Sequence, residues 1–315
     1  MSLPALPTSS SPLDRLRRGT TLLDRDTSAR RLLRTAERHT LYPDVEIDWD
    51  APVPADAWCV PEHRSSLYGT PLWEQMTDQQ RRTLTRHEVA SIAGLGIWFE
   101  NILMQMLLRH LYLQSSTDAH SRFTLTEIAD ECRHSLMFGR MIQTLGCPEY
   151  GPGRLLHRLG RLFKTVSNPT VTFAGTLYVE EILDAFQREA MQDGSVTPLV
   201  RQVSRLHVIE EARHIAFARQ EAIREYARLG AAARLVSRLV LVGVAYGATV
   251  RLIHPRCYAA AGVDPQQAWQ QARANPYWQR TKQDAAARVL DFYEQQCMVG
   301  RLERAVLRQI GLLAA

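Results

Sequence analysis

The sequence predicts an all-α chain, a four-helix bundle with additional flanking helices, on three observations. Apolar residues recur at the helical period through most of the chain, no useful run alternates at the strand period, and one pair of helical stretches occurs twice. Glu131 follows Glu100 by 31 residues, and Glu211 follows Glu180 by the same 31. Each later glutamate opens a Glu-x-x-His, closed by His134 and His214. The flanks repeat too: Trp98-Phe99-Glu100-Asn101-Ile102-Leu103 parallels Tyr178-Val179-Glu180-Glu181-Ile182-Leu183, and Asp130-Glu131-Cys132-Arg133-His134 parallels Glu210-Glu211-Ala212-Arg213-His214.

Taken in order, residues 1–13 are rich in Pro and Ser and read as a flexible N-terminus, followed by one all-helical domain over 14–315. Residues 14–39 have helical spacing. Pro43, Pro52, Pro54, Pro61 and Pro71 make 41–71 an extended, turn-rich crossing. Four helices are expected at 78–113 (one helix or a broken pair), 124–146, 169–191 and 197–228, and this ligand-bearing bundle spans about 78–228. Thr124-Leu125-Thr126-Glu127 has the spacing of a capping box, Gly146 stands where a C-cap belongs, Asn168-Pro169 opens the third helix and Asp193-Gly194 closes it. Further helices at 231–253, 264–274 and 279–312 are expected to pack outside the bundle.

Composition narrows the function classes. The 45% hydrophobic content suits a chain of 315 residues with a sizeable core. A net charge of +5 comes from scattered arginines, Lys164 and Lys282 being the only lysines, so a solvated helix surface is expected and nucleic-acid binding is not. Five cysteines without a Cys-x-x-Cys disfavour both a disulfide framework and a zinc ribbon, and a reducing cytoplasm fits. The Arg15-Leu16-Arg17-Arg18 cluster lies among Asp14, Asp24 and Asp26, unlike an acid-poor transit peptide. Leu239 to Val250, the longest apolar segment, is about half a membrane span and reads as a buried helix, so no membrane partner is expected.

The repeated residues carry metal chemistry. Positions i and i+3 share a helix face at about 3.6 residues per turn, so Glu131 with His134, and Glu211 with His214, can each chelate one ion. Glu100 and Glu180 supply the facing carboxylates, completing the inventory of a dinuclear carboxylate site in a helical bundle. Mixed carboxylate and imidazole ligation suits iron or manganese better than zinc. His207, four residues before Glu211 and on its face, breaks the repeat, because Glu127 holds the equivalent place. It is either a seventh ligand on one metal only or a core histidine. Asp130 and Glu210 could each accept a hydrogen bond from a ligand imidazole on a neighbouring helix and fix its tautomer.

Plainer readings compete with these. A single Glu-x-x-His is commonly a solvated helical pair, whereas two copies with equal leads are not. Glu100 lies among Ile97, Trp98, Phe99, Ile102, Leu103 and Met104, where an unpaired carboxylate is costly to bury. Glu181 rivals Glu180, and the repeat alignment favours Glu180. Glu127 reads as a capping residue, and Arg133 and Arg213 by default as surface ion pairs. His39, His63, His87, His110, His120, His157 and His254 show no ligand spacing.

The run Glu100, Glu131-x-x-His134, Glu180, His207-x-x-x-Glu211-x-x-His214 resembles the p-aminobenzoate N-oxygenase (arylamine N-oxygenase) family of ferritin-like di-iron oxygenases, over roughly residues 70–255. The added histidine is what narrows the resemblance beyond di-iron proteins at large. It implies that these seven side chains bind two Fe ions, with O2 as co-substrate, in a ferritin-like bundle that forms a homodimer. It also implies oxidation of an amine to hydroxylamine or nitro in natural-product (antibiotic) biosynthesis, with a small-molecule amine, free or carrier-bound, as substrate. An external electron donor, a ferredoxin or reductase, is implied as well, and no Gly-x-Gly-x-x-Gly fingerprint follows a strand in this chain. A C–H hydroxylase, a radical-generating subunit using Tyr178, and an iron-oxidising storage protein remain alternatives at this stage, length arguing against storage. No carboxylate-binding set is recognisable, and Leu183 and Phe186, one turn beyond Glu180, suggest an apolar pocket wall.

Overall fold

The computed structural model describes residues 22–314; the expected flexible segment at 1–13, the basic cluster at 15–18 and the first part of the helix expected from residue 14 lie outside the described residues. Among the described residues there are thirteen α-helices. They are α1 (Arg25–Arg38), α2 (Pro43–Glu46), α3 (Pro71–Gln75), α4 (Asp78–Leu111), α5 (Ala119–Thr144), α6 (Arg154–Val166), α7 (Pro169–Ala190), α8 (Pro198–Arg228), α9 (Ala231–Val250), α10 (Arg256–Ala260), α11 (Pro265–Ala274), α12 (Pro276–Gln295) and α13 (Arg301–Gln309). Among the described residues the sole β pairing is an isolated bridge between Trp58 and Val196. The chain is all-α, a ferritin-like four-helix bundle with flanking helices.

The bundle is two hairpins. α4 pairs with α5 and α7 with α8; α5 then faces α8 and α4 faces α7, closing the four helices around Leu84, Leu107, Phe123, Leu177 and Phe217. α1 crosses α5 and α8, α9 and α12 cover α7, and α6 lies on α4. Local chemistry sets the starts. A capping box between Thr77 and Gln80 opens α4, and Asn168 accepts from Val171 N at 2.9 Å above Pro169 to open α7. The helix over 78–113 is a single 34-residue rod rather than a broken pair.

Several expectations are corrected. α5 starts at Ala119, where Asp118 accepts from Ser121 N at 2.7 Å, so Glu127 is mid-helix and caps nothing. The stronger cap lies upstream, and the Thr124 hydroxyl turns back to His120 O instead. The crossing at 41–71 holds two short helical pieces, at Pro43–Glu46 and Glu62–Arg64, each led in by a proline. The expected helix over 279–312 is two, because Cys297 takes a positive φ of 57° between α12 and α13. α9 is not a buried helix: Leu235, Val236, Leu239 and Tyr246 are exposed, and Arg238 pairs with Glu303 at 3.0 Å. Both α4 and α9 are long and apolar enough to cross a membrane by length and composition alone, but α4 is a bundle helix carrying buried glutamates.

α6 was hidden by Gly160 and the Gly151-Pro152-Gly153 lead. Gly160 is there for contact. A Cβ at this position would overlap the Trp98 indole, so only glycine lets α6 lie down on α4.

Glu88, near the start of α4, is fully buried and accepts from Ser66 N at 2.9 Å and Ser66 Oγ at 2.6 Å. Burial pushes its carboxyl up to about 7 against the downward pull of those bonds. Its folded form therefore keeps a proton that the unfolded chain releases near 4.5, so its contribution to stability is lost as pH rises from there to about 7. Glu88→Gln is expected to remove this slope, so that its melting temperature relative to wild type climbs between about pH 5 and pH 8, by the equivalent of roughly 3 kcal/mol at most. Parallel melting curves across that range would show that Glu88 does not titrate as described.

Candidate metal centre

All seven predicted side chains meet inside the bundle. Glu100 comes from α4, Glu131 and His134 from α5, Glu180 from α7, and His207, Glu211 and His214 from α8; none is more than 2% exposed. Ligand atoms within reach of one another form three groups: Glu131, His134, Glu211 and His214; Glu100, His134 and His207; Glu180, His207 and Glu211. Glu211 belongs to two of them. His214 Nδ1 is 3.0 Å from Glu211 Oε1 and 3.1 Å from Glu131 Oε1, while His134 Nδ1 is 2.9 Å from Glu131 Oε2 and 3.3 Å from Glu211 Oε1. His207 turns its other nitrogen inward, Nε2 lying 3.6 Å from Glu211 Oε1 and 3.8 Å from Glu100 Oε1.

The outward nitrogens are each held by a neighbouring helix. His134 Nε2 lies 3.0 Å from Glu210 Oε2, and His214 Nε2 lies 3.1 Å from Asp130 Oδ2, so α5 and α8 exchange one imidazole–carboxylate pair in each direction. Arg213 is buried between these carboxylates, 3.2 Å from Asp130 Oδ2 and 3.4 Å from Glu210 Oε1, and Arg133 pairs with Asp130 from the surface side. The default of surface ion pairs is therefore wrong for Arg213, because the Asp130–Glu210 pair sits at the α5–α8 seam and needs a cation there. His207 Nδ1 bonds Gln187 Oε1 at 2.7 Å. Gln187 was missed in the sequence. Its only signal was its place two turns beyond Glu180 on the same α7 face.

Electrostatics follow from this geometry. Burial, then the Glu131 and Glu180 carboxylates, push Glu100 well above the usual range, and burial with Glu211 and Glu131 does the same to Glu180. Burial also works against Glu131, yet the His214 and His134 imidazoles hold it down at about 2. Burial and the His134 imidazole lower His207 to about 4, which favours the neutral ring a metal requires. Several inward atoms, Glu100 Oε1 and Oε2, Glu131 Oε1, Glu180 Oε2, Glu211 Oε2 and His207 Nε2, have no protein hydrogen-bond partner. Buried oxygens left unpartnered in such number call for cations, and four carboxylates balance two divalent ions in charge. The residues fit the group. Glu181, the rival of Glu180, is engaged elsewhere, with Arg219 at 2.8 Å and Arg288 at 3.7 Å.

Tyr178 is fully buried with its hydroxyl on Thr249 Oγ1 at 3.0 Å. Leu183 and Phe186 wall a cavity of about 50 Å³ shared with Gly96 and Phe138. A larger cavity of about 340 Å³ opens on the other side and is lined by Glu180 at its inner end.

Residues 23–296 match the family described as P-aminobenzoate N-oxygenase AurF. The chain belongs to this family. The P-aminobenzoate N-oxygenase AurF family is an oxygenase family whose di-iron chemistry agrees with the buried His and Glu cluster. Curated relatives include uncharacterized protein Mb0909 of Mycobacterium bovis and uncharacterized proteins MT0908 and Rv0885 of Mycobacterium tuberculosis, each 30% identical over 192 residues. That stretch covers 58% of this chain and 56% of each relative, so the chain spans about half the length of the curated relatives it matches.

Proposed function

We propose that this protein uses O2 to oxidise an amine nitrogen, converting an arylamine to a hydroxylamine and onward to the nitro level, in natural-product biosynthesis. The observation that carries the reading is the seven-residue cluster with His207 turned inward by Gln187, which adds a third imidazole to an otherwise symmetric set. Glu100, Glu131, His134, Glu180, His207, Glu211 and His214 would hold two iron ions, or manganese in their place, and bound iron would supply the electron-transfer chemistry toward O2. The first oxidation balances as amine, O2, two electrons and two protons giving hydroxylamine and water, so an external electron donor belongs to the proposal. A homodimer does too.

The chain's own groups prepare the site. Glu210 and Asp130 fix His134 and His214 with Nδ1 inward, and Gln187 fixes His207 with Nε2 inward, which sets the tautomer of each ring. Near-complete burial of the seven side chains keeps bulk water from all but the Glu180 end of the centre, where the cavity reaches it. Asp130→Ala is expected to weaken metal binding by about 10–100-fold, read by chelator competition, because His214 loses the partner that orients it. Unchanged competition would remove Asp130 from this role.

The reaction itself is tested by exposing the iron-loaded, chemically reduced protein to O2 with a panel of arylamines and reading products by mass spectrometry. Hydroxylamine or nitro products are expected. Ring- or chain-hydroxylated products in their place would assign the centre to C–H oxygenation, and iron turnover with no organic product would assign it to iron oxidation.

A further inference from the structure

The cavity of about 340 Å³ runs from the surface between α6 and α9 inward to Glu180. Its mouth is marked by Leu159, Leu162 and Val166, which line it and are more than half exposed, while Glu180 at the inner end is 2% exposed. Phe99, Leu103, Phe163, Val179 and Val244 are among its walls, and no arginine, lysine or histidine lines it. Apart from Glu180, the only side chain with a polar group for hydrogen bonding to a guest that lines this cavity with near-complete burial is Thr176, one helical turn before Glu180 on α7.

Thr176 shares with Thr170, in the first turn of the same helix, a buried hydroxyl that no protein group meets, and of the two only Thr176 lines the cavity. Thr124, Thr165 and Thr249 each return their hydroxyl to the carbonyl four residues earlier, at 2.9, 2.8 and 2.7 Å. The Thr176 hydroxyl is 93% buried by residue exposure (7% exposed) and has no hydrogen-bond partner. A buried hydroxyl left unpaired costs free energy unless something else in the cavity meets it.

We propose that this cavity binds an uncharged arylamine lacking acidic substituents, with its nitrogen directed at Thr176 Oγ1 and the Glu180 end. This rests on the amine-oxidising reading and names its substrate class. The physical reason is discrimination by charge. A carboxylate carried into an apolar chamber that no cationic side chain lines loses its hydration without a protein partner to replace it, so a ring bearing one is rejected. The aromatic walls suit a flat ring, and a volume near the lower end of small-molecule pockets suits one or two fused rings. The amine supplies the donor and acceptor that the Thr176 hydroxyl lacks.

The test is calorimetric titration of the metal-loaded protein under argon, without reductant, so that binding is read apart from turnover. The probes are 1-naphthylamine, 4-amino-1-naphthoic acid and naphthalene. 1-Naphthylamine is expected to bind at least about tenfold more tightly than its carboxylated analogue. Thr176→Val is expected to weaken 1-naphthylamine by about fivefold while leaving naphthalene unchanged, since only the amine uses the hydroxyl. Val244→Trp, on the half-exposed face of α9, is expected to abolish binding of all three while the thermal melt stays cooperative. Equal affinity for the acid and the neutral amine, a Thr176→Val effect that is the same for naphthalene, or unimpaired binding to Val244→Trp would each overturn the assignment. Binding as expected with no nitrogen oxidation on adding O2 and reductant would overturn the amine-oxidising reading and leave the binding assignment standing. Oxidation of amines bearing carboxylates as readily as neutral ones would do the reverse.

Discussion

Glu211→Ala is expected to leave fewer than one metal ion per chain and to lower O2-dependent turnover by about a thousandfold, the size expected when a metal's several kcal/mol of transition-state stabilisation is lost. The reason is position. Glu211 is the carboxylate common to the group with Glu131, His134 and His214 and to the group with Glu180 and His207, its Oε1 lying within 3.6 Å of a nitrogen of all three histidines. Removing it leaves both of these groups without their common carboxylate, and three imidazoles facing a void. Metal content by elemental analysis after gel filtration checks the first half, and single-turnover oxidation checks the second. His207→Ala serves as the contrast. It belongs to the groups with Glu100 and His134 and with Glu180 and Glu211, but not to the four-residue group, so at least one ion is expected to stay. Two ions retained in Glu211→Ala would mean that this shared carboxylate is not needed to hold them.

Much of this centre was readable because it is built from a duplicated pattern. Matching Glu100 to Glu180 and the two Glu-x-x-His turns places six side chains from the sequence, and it favours Glu180 over Glu181 for a reason the structure makes physical: Glu181 faces Arg219 and Arg288 instead. Where the repeat breaks, the sequence was less informative. From the sequence His207 reads as either a ligand or a core residue, and its ring orientation depends on Gln187, an uncharged side chain with no motif of its own. Glu127 was misread because the capping signal of four residues at 124–127 competes with Asp118 upstream, and only the helix start decides between them. α6 went unseen because a mid-helix glycine lowers helical propensity, whereas its value here is closeness to Trp98, a tertiary contact that local pattern does not encode. The burial of α9 was overestimated for a related reason: an apolar helix need not be covered, and periodicity does not say by what.

The second large effect expected is on stability, when the metals are removed. Four carboxylates converge at 0–2% exposure, and without cations the folded chain must either hold like charges together or keep protons on some of them. Glu100 and Glu180 take the second course, held well above the usual range by burial and by neighbouring carboxylates. Ions that bind the folded chain and not the unfolded one stabilise by mass action, about 4 kcal/mol for each site at a thousand times its dissociation constant. For a chain of this size that corresponds to a rise of on the order of ten degrees or more in melting temperature for two sites. The pH dependence has a definite sign. Carboxyls whose folded pKa is raised contribute least to stability at high pH, where the folded state must give up the proton, and metal ions replace that proton. The difference between Mn(II)-loaded and chelator-treated protein should therefore widen as pH rises through the neutral range, and thermal melts at about pH 6 and pH 8 with and without EDTA measure it. A melting temperature indifferent to chelator at both values would mean that these carboxylates satisfy one another, and the assignment of a dinuclear centre to them would fail.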